Sequence, residues 1–358
     1  MKRGRVTTWG MRVLFTLAGL TALAVGWSKL RDVRLRGAFE DALALAPEAE
    51  SPDTSTSRVA DDSSKLTRGV LSYSVWALPV PLSGMDRWAR LPHIPAALSS
   101  EGADIIALQE AFDVRFREFV TSYLAVTHRA HPTTLCQQSL GLGVRTGCSG
   151  GLATFARFPV AEQRFEPDPS TDDMKWDERK GGKGSMVSLL ETPIGAVHVV
   201  NLHLYAGRAP EDEAIRLTQI RNVAKALEAR GSLDRPLVLL GDLNVVHPSL
   251  SSDGAASPTF AFLVDSLGFV DTAPASVGSR FTYDAETNPY ADLWYNRFEN
   301  RQIFDYVMVR LPPGFDLQVP AGHVLLRGAD ALSDHFGVFS ELIISRVDAG
   351  RTSRLEAG

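Results

Sequence analysis

Two polar residues, Asp242 and Asn244, follow an apolar segment and carry the side chains needed to bind a cation and a phosphate. The apolar segment, residues 236–240, is too short for a helix and is bounded by charged residues and a glycine, so we expect a buried strand. Side chains two positions apart on an extended chain point to the same face. Asp242 and Asn244 can therefore place a carboxylate and an amide in one site. The structural alternative is that both residues only form a turn.

Other predicted strands also end in a polar residue that could bind a metal or move a proton. They are Glu110 after one apolar segment, His203 at the end of a second, Asp305 within a third, and Asp334 with His335 ahead of the last. Each has a structural alternative: a capping carboxylate, a hydrogen-bonded core histidine, a buried ion pair or a turn. Functional sites are usually assembled from loops on one side of a sheet, so the repeated pattern favours one shared site.

The elements that must position these residues alternate between short strands and helices. We predict strands at residues 70–76, 104–108, 152–155, 186–190, 196–204, 303–309 and 337–344, and helices at 94–100, 114–124, 211–230 and 260–267. The turn at residues 192–195 predicts a hairpin between the two strands that flank it. This mixture of hairpins and crossovers predicts layered sheets with helices outside.

Composition limits the class of protein. The 358 residues suffice for one large domain or two ordinary ones, and 44% hydrophobic with 22% charged residues is typical of a soluble globular protein. The formal net charge of -5 argues against a protein whose main task is to grip nucleic acid, although an enzyme with a local basic patch remains open.

The amino terminus predicts export. Lys2, Arg3 and Arg5 precede an apolar stretch at residues 13–27, so we expect a secretory signal or a short membrane anchor within residues 1–30. The stretch is shorter than the roughly 20 residues of a comfortable membrane span, and a buried helix is the alternative. The protein is therefore expected to be extracellular, periplasmic or anchored by this segment. Residues 31–65 are predicted to form a polar linker, 66–346 the folded catalytic domain, and 347–358 a tail.

The cysteines Cys136 and Cys148 lie twelve positions apart in a glycine-rich segment. In an exported protein they could close a small disulfide loop, and two free thiols are the alternative.

Several motifs together resemble the endonuclease/exonuclease/phosphatase superfamily, in the order in which that superfamily carries them. They are Leu-Ser-Tyr-Ser-Val-Trp-Ala-Leu-Pro (71–79), Ile-Ala-Leu-Gln-Glu (106–110), Gly-Asp-Leu-Asn (241–244), Phe-Asp-Tyr (304–306) and Ser-Asp-His (333–335). Within it, the Val-Trp-x-Leu-Pro start and residues 283–291 resemble the neutral sphingomyelinase branch. The resemblance extends from about residue 66 to about residue 345.

This resemblance implies an α/β (α+β) fold of deoxyribonuclease-I type, a four-layer sandwich of two face-to-face mixed β-sheets flanked by helices. It implies a monomeric phosphodiesterase that depends on Mg²⁺ (or Mn²⁺) and hydrolyses a phospholipid head group, with a membrane surface as a further partner. An endonuclease or exonuclease acting on nucleic acid, or an inositol-phosphate phosphatase, is the alternative on the same scaffold. A catalytically silent binding protein is a third class.

By the same resemblance, Glu110 would bind the metal with help from Asp242 and Ser74. Asp242 would also orient the attacking water, and Asn244 with His203 would hold the phosphate. The chemistry is compatible with the roles that the resemblance implies, because the phosphoryl oxygens must be neutralised while an activated water attacks.

His335 would be the general base or acid, since a histidine beside an aspartate can exchange a proton near neutral pH. Asp334 would orient it, and Asp305 would support the opposing histidine or the developing charge.

Ser74 departs from the motifs, whereas Lys183 lies in a segment that resembles the sphingomyelinase branch. Ser74 stands where the superfamily usually has asparagine, and its shorter hydroxyl predicts weaker contact with metal or substrate. Lys183, in the segment Asp-Glu-Arg-Lys-Gly-Gly-Lys-Gly (177–184), could meet a phosphate or an acid, and a solvated charged loop is the alternative.

Overall fold

A computed structural model describes residues 33–34, 37, 40–41, 64–78, 87–141, 144–168, 174–251, 254–272, 280–291 and 301–347. The chain divides into two compact units, Met1–Pro47 and Glu48–Gly358. Nearly all of the predicted signal or anchor, linker and tail lies outside the described residues. Within the described part of the chain, no helix is both long and apolar enough to cross a membrane.

The second unit consists mainly of strands. In chain order they are β1 Lys65–Ala77, β2 Ile105–Ala111, β3 Arg129–Ala130, β4 Gln137–Gly141, β5 Val144–Gly147, β6 Ala153–Ala156, β7 Val160–Pro167, β8 Gly184–Thr192, β9 Gly195–His203, β10 Leu237–Asp242, β11 Val270–Asp271, β12 Tyr283–Asp284, β13 Arg301–Gln302, β14 Asp305–Arg310, β15 Phe315–Leu325 and β16 Gly337–Arg346. The α-helices are α1 Arg87–Arg90, α2 Ile94–Ser100, α3 Val114–Leu124, α4 Trp176–Gly181, α5 Asp212–Glu228 and α6 Pro258–Ala261, the last followed by a π-helical turn, Phe262–Ser266.

Two six-stranded sheets form the framework. The first has the order β15-β16-β1-β2-β6-β3 and the second the order β11-β14-β10-β9-β8-β7. Each contains a parallel pair near its middle, β1 with β2 and β9 with β10, while the other pairs are antiparallel. The carboxyl ends of these parallel pairs carry the polar residues that the sequence singles out. The predicted α/β sandwich is confirmed.

The main core lies between the inner faces of the two sheets. Val70 and Ile105 of the first sheet and Val199, Leu240 and Val307 of the second belong to one buried apolar cluster. Continuous apolar strands such as β10 bury both faces, because alternate side chains point to opposite sides of a sheet.

A second core covers the outer face of the second sheet. There Leu239 of β10 and Met308 of β14 pack with Ile220, Val223 and Leu227 of α5. On the first sheet, α3 contacts β2 and buries its own apolar residues. The arrangement is helix, sheet, sheet and helix.

The predicted elements mostly match those observed. The helices at 94–100 and 114–124 have the predicted bounds, and β8 and β9 form the predicted hairpin, with Thr192 opposite Gly195. The predicted helix 260–267 begins earlier and changes to π-helical winding. The sequence does not predict β15, whose Pro320 coincides with a register irregularity between Gln318 and Ala321 at the edge of the sheet. Proline is tolerated at such an edge position because the missing N–H costs no ladder hydrogen bond there.

Cys136 and Cys148 form a disulfide that closes the β4–β5 hairpin region, which decides between the two alternatives for these residues. Beside it, Arg117 of α3 is buried and donates to the carbonyls of Thr134 and Leu152, at 2.8 and 2.9 Å. The disulfide thus closes the loop on itself, and the buried guanidinium joins the loop to α3 and to the segment before β6.

Candidate active site

The carboxyl ends of β2, β9 and β10 open into one cavity of about 600 Å³. Its lining includes the predicted residues Glu110, His203, Asp242, Asn244, Asp334 and His335. Asp305 lies directly behind them, fully buried against His335. Residues far apart in the chain are thus brought together, because both sheets direct the ends of their parallel strands towards the same edge.

Strained backbone is concentrated at this edge. Trp76, Glu110 and Asn244 line the cavity with φ of 49°, 55° and 53°, in the left-handed region that residues other than glycine rarely occupy. Trp76 and Glu110 lie where the β1–β2 register is interrupted between Ser74 and Ala77. Such an irregularity re-aims side chains, and here it turns Glu110 into the cavity. Strain of this kind costs about 1–3 kcal/mol per residue and typically accompanies a functional site.

The Asp242–Asn244 segment is both a turn and part of the site, so both interpretations of its sequence hold. Asp242 Oδ1 accepts a hydrogen bond from the Asn244 backbone N–H at 3.0 Å, which is turn chemistry. The remaining polar atoms face the site: Asn244 Nδ2 donates to the Leu204 carbonyl at 3.1 Å, and Asp242 Oδ2 lies 3.5 Å from His203 Nε2. Asp242 and Asn244 therefore each belong both to the turn and to the site.

His335 is paired with Asp305 rather than with its sequence neighbour. His335 Nδ1 lies 2.8 Å from Asp305 Oδ2, and His335 Nε2 lies 3.9 Å from Asp242 Oδ2. Burial lowers the pKa of His335, but the carboxylates of Asp305 and Asp242 outweigh it, so the pKa is raised well above its usual range. Where the sequence predicts that Asp334 orients His335, the structure has the carboxylate of Asp305, from the neighbouring sheet, at His335 Nδ1.

Asp334 instead belongs to a loop that is fixed from two sides. Its Oδ1 lies 3.1 Å from Ser333 Oγ, which also donates to the Ser74 carbonyl at 2.6 Å. Asn288 Nδ2 donates to the carbonyls of Ser333 and Asp334, at 2.9 and 3.0 Å. The segment 283–291, recognised from its sequence, thus holds the histidine-bearing loop, and its Tyr283 forms a β-bridge with His335.

His203 is held by a lysine whose donors are all used. Lys183 Nζ lies 2.9 Å from His203 Nε2, 2.7 Å from the Leu204 carbonyl and 2.9 Å from Glu178 Oε2. Three acceptors match the three N–H donors of an ammonium group. Burial, Lys183 and His335 together hold the pKa of His203 well below its usual range, so this imidazole is neutral. Of the two predicted partners for Lys183, phosphate or acid, the structure contains the acid.

Ser74 lies beneath the cavity and is not among the described residues that line it. Its buried Oγ has no hydrogen-bond partner within the described part of the chain. The predicted role of Ser74 in metal or substrate binding remains a prediction, and its position is consistent with the short reach expected of a hydroxyl.

The acidic groups around Glu110 fit a hard cation. Glu110 is half-buried, and burial, followed by the nearby charge of Asp334, raises its pKa to about 8, against the opposing charge of His335. Burial likewise raises the pKa of Asp242 to about 6. A carboxylate with a raised pKa is costly to ionise, and a bound divalent cation offsets this cost by compensating the negative charge. Magnesium also prefers oxygen ligands of this kind.

A second potential metal group is less suitable for magnesium. Asp242, Asp305 and His335 each offer one ligand atom, and these three atoms lie within 4.8 Å of one another. Two of these residues already form the His335–Asp305 hydrogen bond, and an imidazole nitrogen is a ligand that magnesium seldom takes. The donor set of Glu110 with neighbouring carboxylates therefore fits the predicted magnesium better.

Several site residues are not predicted from the sequence. Gln109 Nε2 donates to Asn201 Oδ1 at 2.8 Å, and Asn201 Nδ2 donates to the Leu108 carbonyl at 3.1 Å, so a buried amide pair joins the two sheets under the site. Asn201 could have been found, because it precedes His203 by two positions and shares its side of β9. Arg208, in the loop after β9, has no such signal.

Comparison with known proteins identifies the family. Residues 85–335 match the model of the Endonuclease/Exonuclease/phosphatase family. Sphingomyelinase C from Leptospira interrogans is 22% identical over 257 residues, covering 67% of this chain and 43% of the relative. The chain thus spans less than half of that relative's length.

Solved structures show the same fold. Sphingomyelinase C from Streptomyces griseocarneus superposes with a TM-score of 0.58 at 22% identity, covering 77% of this chain and 99% of that one. A variant beta toxin from Staphylococcus aureus, solved with bound magnesium ions, gives a TM-score of 0.59 at 19% identity, with coverage of 77% and 99%. Since the family model spans more than half of the 358 residues and the fold agrees, this chain belongs to the endonuclease/exonuclease/phosphatase family.

Proposed function

We propose that this protein is a magnesium-dependent phosphodiesterase that hydrolyses the head group of a sphingomyelin-type phospholipid by attack of water on phosphorus. The observation that carries the proposal is the convergence in one cavity of a histidine–aspartate pair, Asp242, Asn244 and the strained carboxylate Glu110. The similarity to sphingomyelinases C supports the substrate class.

Glu110 would hold the cation, with the carboxylate oxygens of Asp242 and Asp334 nearby to share its charge. When bound, magnesium would neutralise the phosphoryl oxygens and lower the pKa of a coordinated water. The bound magnesium ions of the beta toxin structure support this choice of metal.

Side chains of the protein would provide proton exchange and phosphate binding. Asp305 holds the proton on His335 Nδ1, which leaves His335 Nε2 facing Asp242 and the cavity as the atom that exchanges a proton. His203 stays neutral, so it adds no charge to the site, and its Nε2 accepts a hydrogen bond from Lys183. Asn244, fixed in its strained conformation, presents an amide to the phosphate oxygens.

The charges of the cavity favour a lipid head group over nucleic acid. Its described carboxylates are Glu110, Glu178, Glu211, Asp212, Asp242 and Asp334, against the cations Lys175, Arg208 and His335. Such a lining opposes a polyanion but suits a single phosphate that carries a cationic ammonium group. Trp76, Tyr205 and Tyr283 add aromatic surface of the kind that quaternary ammonium groups contact.

We further propose that the protein works as a monomer outside the cytoplasm, at a membrane surface. The basic and then apolar amino terminus supports export. The disulfide supports an oxidising compartment, because such bonds are rare where glutathione keeps thiols reduced.

A substrate panel tests the proposal. The purified chain would be given sphingomyelin, phosphatidylcholine, plasmid DNA and inositol phosphates, with magnesium and then with a chelator. We expect phosphocholine release from sphingomyelin that requires the metal. His335→Ala should abolish it, and the matched control His323→Ala should not, since His323 forms an exposed pair with Glu101 away from the cavity. Nicking of DNA without lipid cleavage would place a nuclease first, and activity in chelator would defeat the metal assignment.

A further inference from the structure

The strained backbone of Glu110 needs a physical cause. Its φ of 55° is one that a residue other than glycine keeps only when the surrounding structure holds it there. The Glu110 carbonyl accepts a hydrogen bond from the Phe112 N–H at 2.9 Å, which closes a tight turn directly after the strained residue. The segment that fixes Glu110 is therefore the one that follows it, residues 111–113.

This turn is hydrogen-bonded to residues 134–152, here called the disulfide segment. The Ala111 N–H donates to the Gly151 carbonyl at 2.8 Å, and the Gly147 N–H donates to the Phe112 carbonyl at 3.3 Å. Both residues after the strained position thus have backbone partners in the disulfide segment. A movement of that segment would move the turn with it.

Arg117 of α3 joins the disulfide segment to Ala111. Its buried guanidinium donates from Nη1 to the Ala111 carbonyl at 3.3 Å and from Nε to the Thr134 carbonyl at 2.8 Å. Its Nη2 donates to Ser149 Oγ and to the Leu152 carbonyl, both at 2.9 Å. The donors of a guanidinium point in fixed directions within one plane, so these bonds fix the relative positions of their acceptors.

The disulfide connects the two parts of the segment that Arg117 contacts. Cys136 lies two residues after Thr134, and Cys148 lies directly before Ser149. The Cys148 N–H also donates to the Cys136 carbonyl at 3.1 Å. Cys136 is exposed and Cys148 is partly exposed, so a reductant in solution can reach the bond.

The contacts between these parts are close. A Cβ added to Gly147 would lie 2.0 Å from Arg117 Nη1, and one added to Gly151 would lie 2.8 Å from the Phe112 ring. Only residues without a side chain fit at these two positions. The turn, the guanidinium and the disulfide segment are therefore packed as one unit, which transmits a change in one part to the others.

We propose that Arg117 is a positioning residue, which together with the Cys136–Cys148 disulfide holds Glu110 in its strained, cation-binding conformation. Breaking the disulfide should therefore weaken the binding of a divalent cation. This inference rests on the proposed function, because that function assigns the cation to Glu110. The strain of one left-handed residue corresponds to about 5- to 100-fold in an equilibrium constant, which is the loss expected when the conformation is no longer held in advance.

Reduction breaks this connection reversibly and without a substitution. A dithiol such as dithiothreitol transfers two electrons and two protons to the disulfide, which becomes two thiols while the reagent becomes a cyclic disulfide. Oxidised and reduced wild type are therefore compared first, beside Arg117→Met and Arg117→Lys. The measurements are the affinity for Mg²⁺ by calorimetry, amide hydrogen exchange at residues 111–113, and the unfolding midpoint.

Arg310→Met is the matched control. Arg310 also donates to backbone carbonyls, those of Leu267 and Leu233. It lies at the end of β14 opposite to Asp305 and is not among the described residues that line the cavity. Its loss should lower the unfolding midpoint and leave magnesium affinity unchanged.

We expect reduction and Arg117→Met each to weaken magnesium binding by about 5- to 100-fold and to speed amide exchange at residues 111–113. Arg117→Lys should recover little, because an ammonium group lacks the planar fork. Reduction of Arg117→Met should cause little further loss, because both changes interrupt the same contacts. Reduction of Arg310→Met should weaken magnesium binding as much as it does in the wild type.

Distinct results separate the two proposals. If the wild type binds no magnesium, yet reduction and Arg117→Met still speed exchange at residues 111–113, the proposed function fails and the positioning role stands. If Arg117→Met and the reduced wild type bind magnesium as tightly as Arg310→Met, the inference is overturned. Weaker magnesium binding with unchanged exchange would also overturn it, because the position of Glu110 would then not be the cause. If Arg117→Met does not fold, the comparison of oxidised with reduced wild type decides.

Discussion

Replacing Glu110 by glutamine isolates the charge that the proposed cation would neutralise. Glu110→Gln keeps the size of the side chain and the positive φ of this residue, and it removes a carboxylate whose pKa burial and Asp334 raise from 4.5 to about 8. In the absence of metal, we expect the variant to be more stable than the wild type at alkaline pH and equally stable at acid pH.

The sign follows from proton binding. The unfolded chain loses this proton near pH 4.5 and the folded protein only near pH 8, so the wild type loses stability as pH rises between these values. At about 1.4 kcal/mol for each pKa unit, a fully buried group would cost about 5 kcal/mol. Because Glu110 is half-buried and couples to neighbouring carboxylates, we expect about 1–3 kcal/mol in the free energy of unfolding.

Urea unfolding at about pH 5 and about pH 9, in chelator and in excess magnesium, measures this effect. Magnesium should stabilise the wild type by about 3 kcal/mol when it exceeds its dissociation constant about a hundredfold, and Glu110→Gln by much less. Glu341→Gln, a half-buried position on β16 outside the cavity, is the control. A variant less stable than the wild type at high pH, or stabilised equally by magnesium, would refute the reasoning.

Three further perturbations follow from contacts described above. Asp305→Asn removes a charge that raises the pKa of His335, so the limb of the pH–rate profile that reports this histidine should move to lower pH; an unmoved limb would contradict the pairing. Asn201→Ala leaves Gln109 without its inter-sheet acceptor and should lower the free energy of unfolding in urea by about 2–4 kcal/mol, whereas a loss within error would show that water replaces the amide. Cys136→Ser opens a loop with a sequence separation of 12 and should cost about 3 kcal/mol, seen as a lower melting temperature that reductant no longer changes.

Much of the site is predictable from the sequence because its residues end strands. Glu110, His203 and Asp242 each close an apolar segment, and the ends of neighbouring parallel strands meet at one edge. Period-two spacing also predicts Asn244, although a turn after β10, not extended backbone, brings it to the site. The same spacing indicates Asn201, whose role becomes clear only once Gln109 is seen opposite it.

The remaining features depend on packing that sequence does not encode locally. From the sequence alone, either Asp334 or Asp305 could be the partner of His335. The structure has Asp305 there because the two sheets lie close together. Arg208 sits in a loop without periodicity, so nothing in its neighbourhood marks it. The edge strand β15 is half exposed and contains proline, which removes the alternation on which strand prediction depends.

The His335–Asp305 hydrogen bond spans two sheets: His335 lies immediately before β16 of one, and Asp305 begins β14 of the other. This proton-transfer pair is divided between the two sheets. Catalytic competence therefore requires the two sheets to pack in their native positions. Enzymatic turnover should then respond to small changes in the relative position of the two sheets that circular dichroism does not detect. Substitutions of distant core residues that shift one sheet should lower activity while the secondary structure stays intact.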